Sequence, residues 1–219
     1  MDECVQRLKR LDTTCVSDAL DRLGVAGGLL GIKAVSPGQR ICGPAFTVHY
    51  VPCGQVKGTV GDFLDDVQAG QVIVIDNAGR DYCTVWGDIM SIAALRGRVE
   101  GTVIDGVCRD IPAIRETGYS VFSKGWYMVT GKDRVEVDAV GVPVSASGIQ
   151  VRPGDIVLGD DSGVVVVPQV LVQEVLELAE KIDETERLII DEVRRGTPLR
   201  DARQRFGYHK LQSRQTPAR

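Results

Sequence analysis

Between residues 71 and 125 the chain alternates short β-branched runs with helical patterns. "QVIVIDNAG", "GTVIDGVC" and "YSVFSKG" read as strands, and "GDIMSIAALRGR" and "IPAIRETG" fall between them as helices. Parallel strands need a crossover of a dozen or more residues, usually helical, so this order predicts βαβ units. It also says where to look for a ligand. In open α/β sheets, ligands gather at the carboxyl ends of the strands.

The flanks fill in the rest. "QRICGPAFTVHYV" precedes the βαβ region, while "RVEVDAVGVPV", "GIQVRPGDIVLGD" and "GVVVVP" follow it as hairpin material. Residues 3–23 read as one helix with capping candidates at Asp12, Thr13 and Ser17 and a stop at Gly24. "GTVGDFLDDVQAG" has a helical pattern too. A long helix is expected from Pro168 to Arg195, ended by Gly196. Its stripe of Leu171, Val175, Leu178, Ile182, Ile189 and Val193 opposes Glu174, Glu177, Lys181 and Glu184. The expected class is α/β: a mixed sheet, flanking helices and a long C-terminal helix, in one domain over 1–219. Residues 197–219 form a basic C-terminal extension, read as a solvated helix and terminus rather than a nucleic-acid tail.

With 219 residues, 43% of them hydrophobic, such a domain has a core of ordinary size. A net charge of −4 gives no bias toward nucleic acid. The apolar runs are too short for a bilayer, and the first residues lack the apolar stretch of a signal peptide, so a cytoplasmic location is expected. The six cysteines show no C-x-x-C pair and no zinc spacing, and are read as reduced thiols. No G-x-G-x-x-G is present. "GWYMVTGKD" fails as a phosphate loop, because its glycine spacing is wrong and Asp133 stands in place of Ser/Thr. His49 and His209 lie near no nucleophile motif.

What remains is carboxylates and arginines at strand ends. One strand ends near Asp76-Asn77 and is followed by Arg80-Asp81; the next ends near Asp105-Gly106 and is followed by Arg109-Asp110. Between them "WGDIM" opens a helix, whose first backbone N–H groups can hold an anion. Turn formation explains Asp76 and Asp105, a hairpin turn explains Asp160-Asp161, and structural or salt-bridge duty explains Arg80-Asp81. For Arg109-Asp110, spacing alone leaves a structural role and a functional one evenly balanced.

"VSDALDRLG", "GPAFTV", "WGDIM", "DGVCRDIPAIRETGYSVFSKG", "VRPGDIVLGDDSGVVVVP" and "FGYHKLQ" resemble a family that joins the regulators of ribonuclease activity A to the class II pyruvate aldolases. The most specific shared element is Gly-Asp-x-x, here Gly87-Asp88-Ile89-Met90, followed 22 positions after the glycine by Arg109-Asp110. The resemblance implies a swivelling β/β/α fold and homotrimers or hexamers with sites between subunits. It implies that Asp110 is the direct ligand of a divalent metal, magnesium first and manganese as the alternative. Arg109 and the backbone of Gly87, Asp88, Ile89 and Met90 would bind a small 2-oxo acid, and Asp88 would position or deprotonate a metal-bound water. Glu184 and Glu186 fall where a neighbouring subunit donates a carboxylate, and Lys132 is a further candidate. The implied reaction is retro-aldol cleavage of a 4-hydroxy-2-oxo acid to pyruvate, or decarboxylation of oxaloacetate; the alternative is a non-catalytic regulator that binds a ribonuclease or another protein. The chain keeps Asp110, which favours the enzyme. It departs from the aldolases at Ala113, where they carry a carboxylate, so the tail of the substrate stays open.

Overall fold

The computed structural model describes residues 2–55 and 58–208. The helix expected over 3–23 is two helices, α1 (Asp2–Leu8) and α2 (Thr13–Arg22). The apolar period runs straight through the break, because Leu8, Leu11, Cys15 and Val16 all enter one buried cluster. A distant carboxylate starts the second helix. Asp160 accepts hydrogen bonds from the Thr13 N–H (2.9 Å) and hydroxyl (2.7 Å), satisfying a donor that a helix start leaves open. This contact holds the Asp160 carboxyl below its ordinary value, with the Thr13 and Ser162 hydrogen bonds outweighing the larger opposing effect of burial.

After β1 (Lys33–Ala34) and β2 (Ile41–Pro52), the "DFLDD" stretch makes only a 3-10 turn over Asp62–Asp66. Five residues between Gly61 and an extended Val67 are too few to nucleate an α-helix. The βαβ region then appears in the expected order: β3 (Val72–Thr84), α3 (Asp88–Arg96), β4 (Gly101–Cys108), α4 (Ile111–Thr117) and β5 (Val121–Trp126). There follow β6 (Val135–Val140), β7 (Val144–Ala146), β8 (Ile149–Val151), β9 (Ile156–Asp160) and β10 (Gly163–Val167). A 3-10 turn at Gln169–Leu171 leads into α5 (Val172–Arg194), and α6 (Leu199–Arg205) folds back on it. His209 and the rest of the basic extension, 209–219, lie outside the described residues.

The main sheet is mixed, in the order β1–β5–β4–β3–β2–β9–β10, with β6 also pairing β2. The β2–β3, β3–β4 and β4–β5 pairs are parallel; β1–β5, β2–β6, β2–β9 and β9–β10 are antiparallel. β7 and β8 form a separate hairpin. The near-continuous apolar runs of β3 and β4 are those of strands covered on both faces. Ile73, Ile75 and Ile104 pack with Trp86, Ala94 and Ile114 beneath α3 and α4. Their neighbours Val72, Val74 and Val103 pack on the opposite face with Leu29, Val144 and Val151. Each such side chain contributes roughly 1.5–3 kcal/mol by leaving water.

Two carboxylates fasten the β7–β8 hairpin to that second face. Asp76 and Asp105 are partners in register on β3 and β4. Asp76 accepts the Ser145 N–H at 3.0 Å, and Asp105 accepts the Ser147 N–H at 2.9 Å. Asp76 also closes a turn onto the Ala78 N–H, and Asp105 holds Lys124 at 2.5 Å. The outer layer of α1, α2 and α5 covers β9 and β10 through Val16, Leu20, Val165, Val175, Leu176 and Ile182.

Candidate active site

β3 and β4 are parallel, so they open onto the same edge. Beyond β3 the chain turns through Val85, Trp86 and Gly87 into α3; beyond β4 it turns at Arg109 and Asp110 into α4. The two turns are joined by the Arg109 N–H, which donates to the Trp86 carbonyl at 3.0 Å. With Thr59–Asp62 on one wall and Thr130 and Lys132 on another, they enclose a cavity of about 450 Å³. Gly87, Asp88, Ile89, Met90, Arg109, Asp110 and Lys132 all line it. The residues that sequence reasoning placed together therefore share one hollow at the carboxyl ends of parallel strands.

Asp110 is the N-cap of α4 and adopts a left-handed backbone, φ 59° and ψ 37°. Its side chain makes no capping bond to its own helix. Instead Oδ2 lies 3.2 Å from Arg109 Nε and 3.4 Å from the Asp88 N–H. So the two opposite charges do touch each other. Both side chains are about a third exposed, and a pair this open to solvent contributes little to stability. The same oxygen explains Gly87: a Cβ there would stand 2.5 Å from it. The missing side chain of residue 87 is the space that the Asp110 carboxylate uses.

Asp88 begins α3, and its Oδ1 accepts the Ile89 N–H at 2.7 Å. Met90 closes the cavity against Gly61, where a Cβ would come within 3.3 Å of the methionine sulfur. Behind this front runs a buried chain that sequence reasoning missed. The Trp86 Nε1–H donates to Ser91 Oγ at 2.9 Å, and the Ser91 hydroxyl donates to the Gly87 carbonyl at 2.9 Å. Trp86 also stacks on Tyr119, with ring centroids 6.0 Å apart. The only local signal was a tryptophan five residues before a serine, and such spacing has no periodic signature.

Other expected residues lie elsewhere. Arg80 donates to the Tyr50 carbonyl at 3.3 Å and to Asn77 Oδ1 at 3.1 Å, an internal tie away from the cavity. Glu184 and Glu186 sit on α5 and do not line the cavity of their own chain. Glu184 lies on the outer part of that helix, whereas Glu186 is half-buried against α2, where the Cys15 thiol donates to it at 3.7 Å. Burial, reinforced by the charges of Asp18 and Asp183, pushes its carboxyl above the ordinary glutamate value. Burial likewise pushes the Cys15 thiol up to about 12, so it is no nucleophile.

The donor set of Asp88 and Asp110, two carboxylates lining the cavity, is of the kind a magnesium-type cation accepts. Among the described residues no cluster of three or more His, Cys, Asp or Glu side chains could cage an ion. Magnesium does not need one: it keeps several waters and takes one or two protein carboxylates. Asp110 presents an oxygen across the gap left by Gly87, and Asp88 lines the same hollow. On the far side of Arg109 and Asp110 lies a second, open hollow of about 550 Å³ with Pro112, Trp126 and Met128.

Comparison with known proteins bears on this geometry. The family described as RraA-like: Aldolase/RraA matches residues 13–166. Protein DlpA of Legionella pneumophila is 42% identical over 214 residues, covering 96% of this chain but 35% of that protein, so the chain spans about a third of its length. A protein of Halalkalibacterium halodurans named "Putative 4-hydroxy-4-methyl-2-oxoglutarate aldolase" is 33% identical over 177 residues, 81% of this chain and 82% of that one. The crystal structure of Streptomyces coelicolor RraAS2, described as "an unusual member of the RNase ES inhibitor RraA protein family", superposes with a TM-score of 0.78 at 31% identity. That match covers 84% of this chain and 94% of the other.

Proposed function

We propose, from the premise that this chain belongs to the RraA-like Aldolase/RraA family, that it is a divalent-metal-dependent lyase acting on a small 2-oxo acid. The observation that carries the reading is the convergence of the α3 N-terminus, Arg109 and Asp110 on one cavity. The reaction is cleavage of a 4-hydroxy-2-oxo acid between C3 and C4, releasing pyruvate. Decarboxylation of oxaloacetate generates the same pyruvate enolate and suits the same site.

A cation held by Asp110, magnesium or manganese, supplies Lewis acidity toward the 2-oxo acid as negative charge develops on it. The chain's own groups do the rest. Arg109 donates charge-assisted hydrogen bonds to the keto and carboxylate oxygens, where a well-aimed donor stabilises the transition state by about 3 kcal/mol. The first turn of α3 receives the substrate carboxylate, which takes the place of Asp88 Oδ1 on the Ile89 N–H while the Asp88 N–H stays with Asp110; the amides of a helix start have no carbonyl partner within the helix. Asp88, directly or through one water, takes the proton of the C4 hydroxyl. The C3–C4 bonding electrons move to the 2-oxo oxygen, the carbonyl fragment leaves, and a proton added at C3 yields pyruvate. Lys132 lines the same cavity and adds positive charge toward an anionic substrate.

We further propose a homo-oligomer, a trimer or hexamer, with Glu184 or Glu186 reaching a neighbour's site. Support comes from large apolar side chains left in the open beside the cavity: Ile89, Ile92 and Leu95 on α3, and Trp126 and Met128 at the end of β5 and just beyond it. A pyruvate-release assay tests the main reading, using magnesium or manganese with a panel of 4-hydroxy-2-oxo acids and oxaloacetate. Turnover abolished by a chelator and restored by the metal is the expected result. Folded protein with no activity on any member favours the second reading, a regulator that binds a ribonuclease. That reading draws on the likeness to RraAS2, a member of a family of RNase ES inhibitors, and an RNase inhibition assay tests it directly.

A further inference from the structure

We propose that Ser91, backed by Trp86, is a positioning residue that locks the peptide between Gly87 and Asp88, so that its N–H faces the Asp110 carboxylate. This rests on the reading of Asp110 as the metal ligand and names what holds that ligand in place.

The need for a lock follows from the glycine. A Cβ at residue 87 would stand 2.5 Å from the Asp110 oxygen, so glycine leaves that oxygen where it is. The absence of that Cβ removes the steric restraint on rotation about the following backbone bond. A peptide plane hung on glycine turns over readily unless something grips it. Here the grip is on the carbonyl end. Gly87 O accepts both the Ser91 N–H at 3.1 Å and the Ser91 hydroxyl at 2.9 Å. In a trans peptide the C=O and N–H point in opposite directions. Holding the carbonyl inward therefore aims the Asp88 N–H outward, and Asp110 Oδ2 lies 3.4 Å from it.

A serine bonded to the carbonyl four residues back is by itself an ordinary helical contact. Trp86 makes it more than that. An indole N–H can only donate, so at 2.9 Å it fixes Ser91 Oγ as its acceptor. The single hydroxyl proton is then committed to Gly87 O. Ser91 is fully buried and Trp86 is 2% exposed, so both bonds are shielded from bulk solvent. Trp86 acts on the neighbouring turn too, because its carbonyl receives the Arg109 N–H. The Asp88 amide, through Gly87 and Ser91, and the Arg109 amide, through the backbone carbonyl, are thus both tied to residue 86, whose indole stacks on Tyr119.

The test reads binding rather than turnover. Mn²⁺ affinity by electron paramagnetic resonance, and oxalate affinity by calorimetry with Mn²⁺ present, are measured on the whole chain beside its melting temperature. Groups that orient metal ligands typically change metal affinity by about 10–100-fold when removed. Ser91→Ala should weaken Mn²⁺ binding about tenfold or more, and Ser91→Thr, which keeps the hydroxyl, should restore most of it. If neither variant folds, Trp86→Phe takes their place, removing the indole donor while keeping the Ser91–Gly87 bond; it should still weaken Mn²⁺ measurably. A Ser91→Ala or Trp86→Phe protein that melts lower yet binds Mn²⁺ and oxalate like wild type overturns the proposal alone. Wild-type protein that binds no Mn²⁺ overturns the metal reading as well, so the two failures are distinct.

Discussion

Asp110 adopts a left-handed backbone, a conformation that costs most L-residues roughly 1–2 kcal/mol and aspartate about 1 kcal/mol or less. Asp110→Gly removes that cost together with the carboxylate. Its melting temperature should rise by about 2–4 °C, as expected for ~1 kcal/mol in a domain of this size, while Mn²⁺ binding and turnover vanish; scanning calorimetry beside a metal titration checks both. Arg109→Ala separates the second charge. It should keep the metal and lose on the order of 10² in turnover, by analogy with deleting an oxyanion donor. Arg80 binds inside the fold, so Arg80→Ala should cost stability and spare most of the rate; equal kinetic damage at Arg80 and Arg109 would overturn the choice between them. The pair at 109–110 could be picked out in the sequence only through the family resemblance, since its spacing alone left a structural role as open as a functional one. Ser91 could not, since its role depends on a carbonyl orientation that no residue pattern encodes.

At the scale of elements, the α2–α5 contact buries an acid beside other acids. Burial first, then Asp18 and Asp183, hold Glu186 protonated more readily than in an unfolded chain, while the Cys15 thiol opposes them. A carboxyl whose folded value is raised binds more protons in the native state. Its contribution is therefore fully present at low pH and declines as pH rises through the raised value. Glu186→Gln should accordingly melt higher than wild type at pH 7.5, and the difference should close below about pH 4, where a free glutamate is itself protonated. A lower melting temperature for Glu186→Gln at about pH 7.5 would show the sign to be wrong. The strands and α3 to α5 were readable because apolar alternation and helical spacing are local. The break between α1 and α2 was not: Leu8, Leu11 and Cys15 carry the period across it, and the carboxylate that starts α2 comes from 147 residues away.

For the molecule as a whole, assembly turns on what covers α3 and whether α5 reaches a neighbour. If Glu184 or Glu186 serves another subunit, Asp110→Ala and Glu186→Ala chains should each be inactive alone and regain activity when their subunits exchange; Glu184→Ala is the parallel case. A fully active monomer in sedimentation would remove the shared site. Such contacts leave no mark in one chain beyond exposed apolar side chains like Ile89 and Met128, so the family resemblance carried that expectation where periodicity could not. The seat of Asp110 has a further consequence. Its carboxylate caps no helix, rests in a vacancy made by a glycine, and shares its few contacts with solvent. A descendant could shed it in a single substitution and inherit the same shape, and a sturdier one where the replacement is glycine. Once it is gone, nothing holds residue 87 to glycine on its account, and drift there closes the vacancy and makes the loss hard to reverse. If Asp110 carries the proposed chemistry, that chemistry sits lightly on its scaffold, and its loss would leave a stable fold able to serve recognition alone.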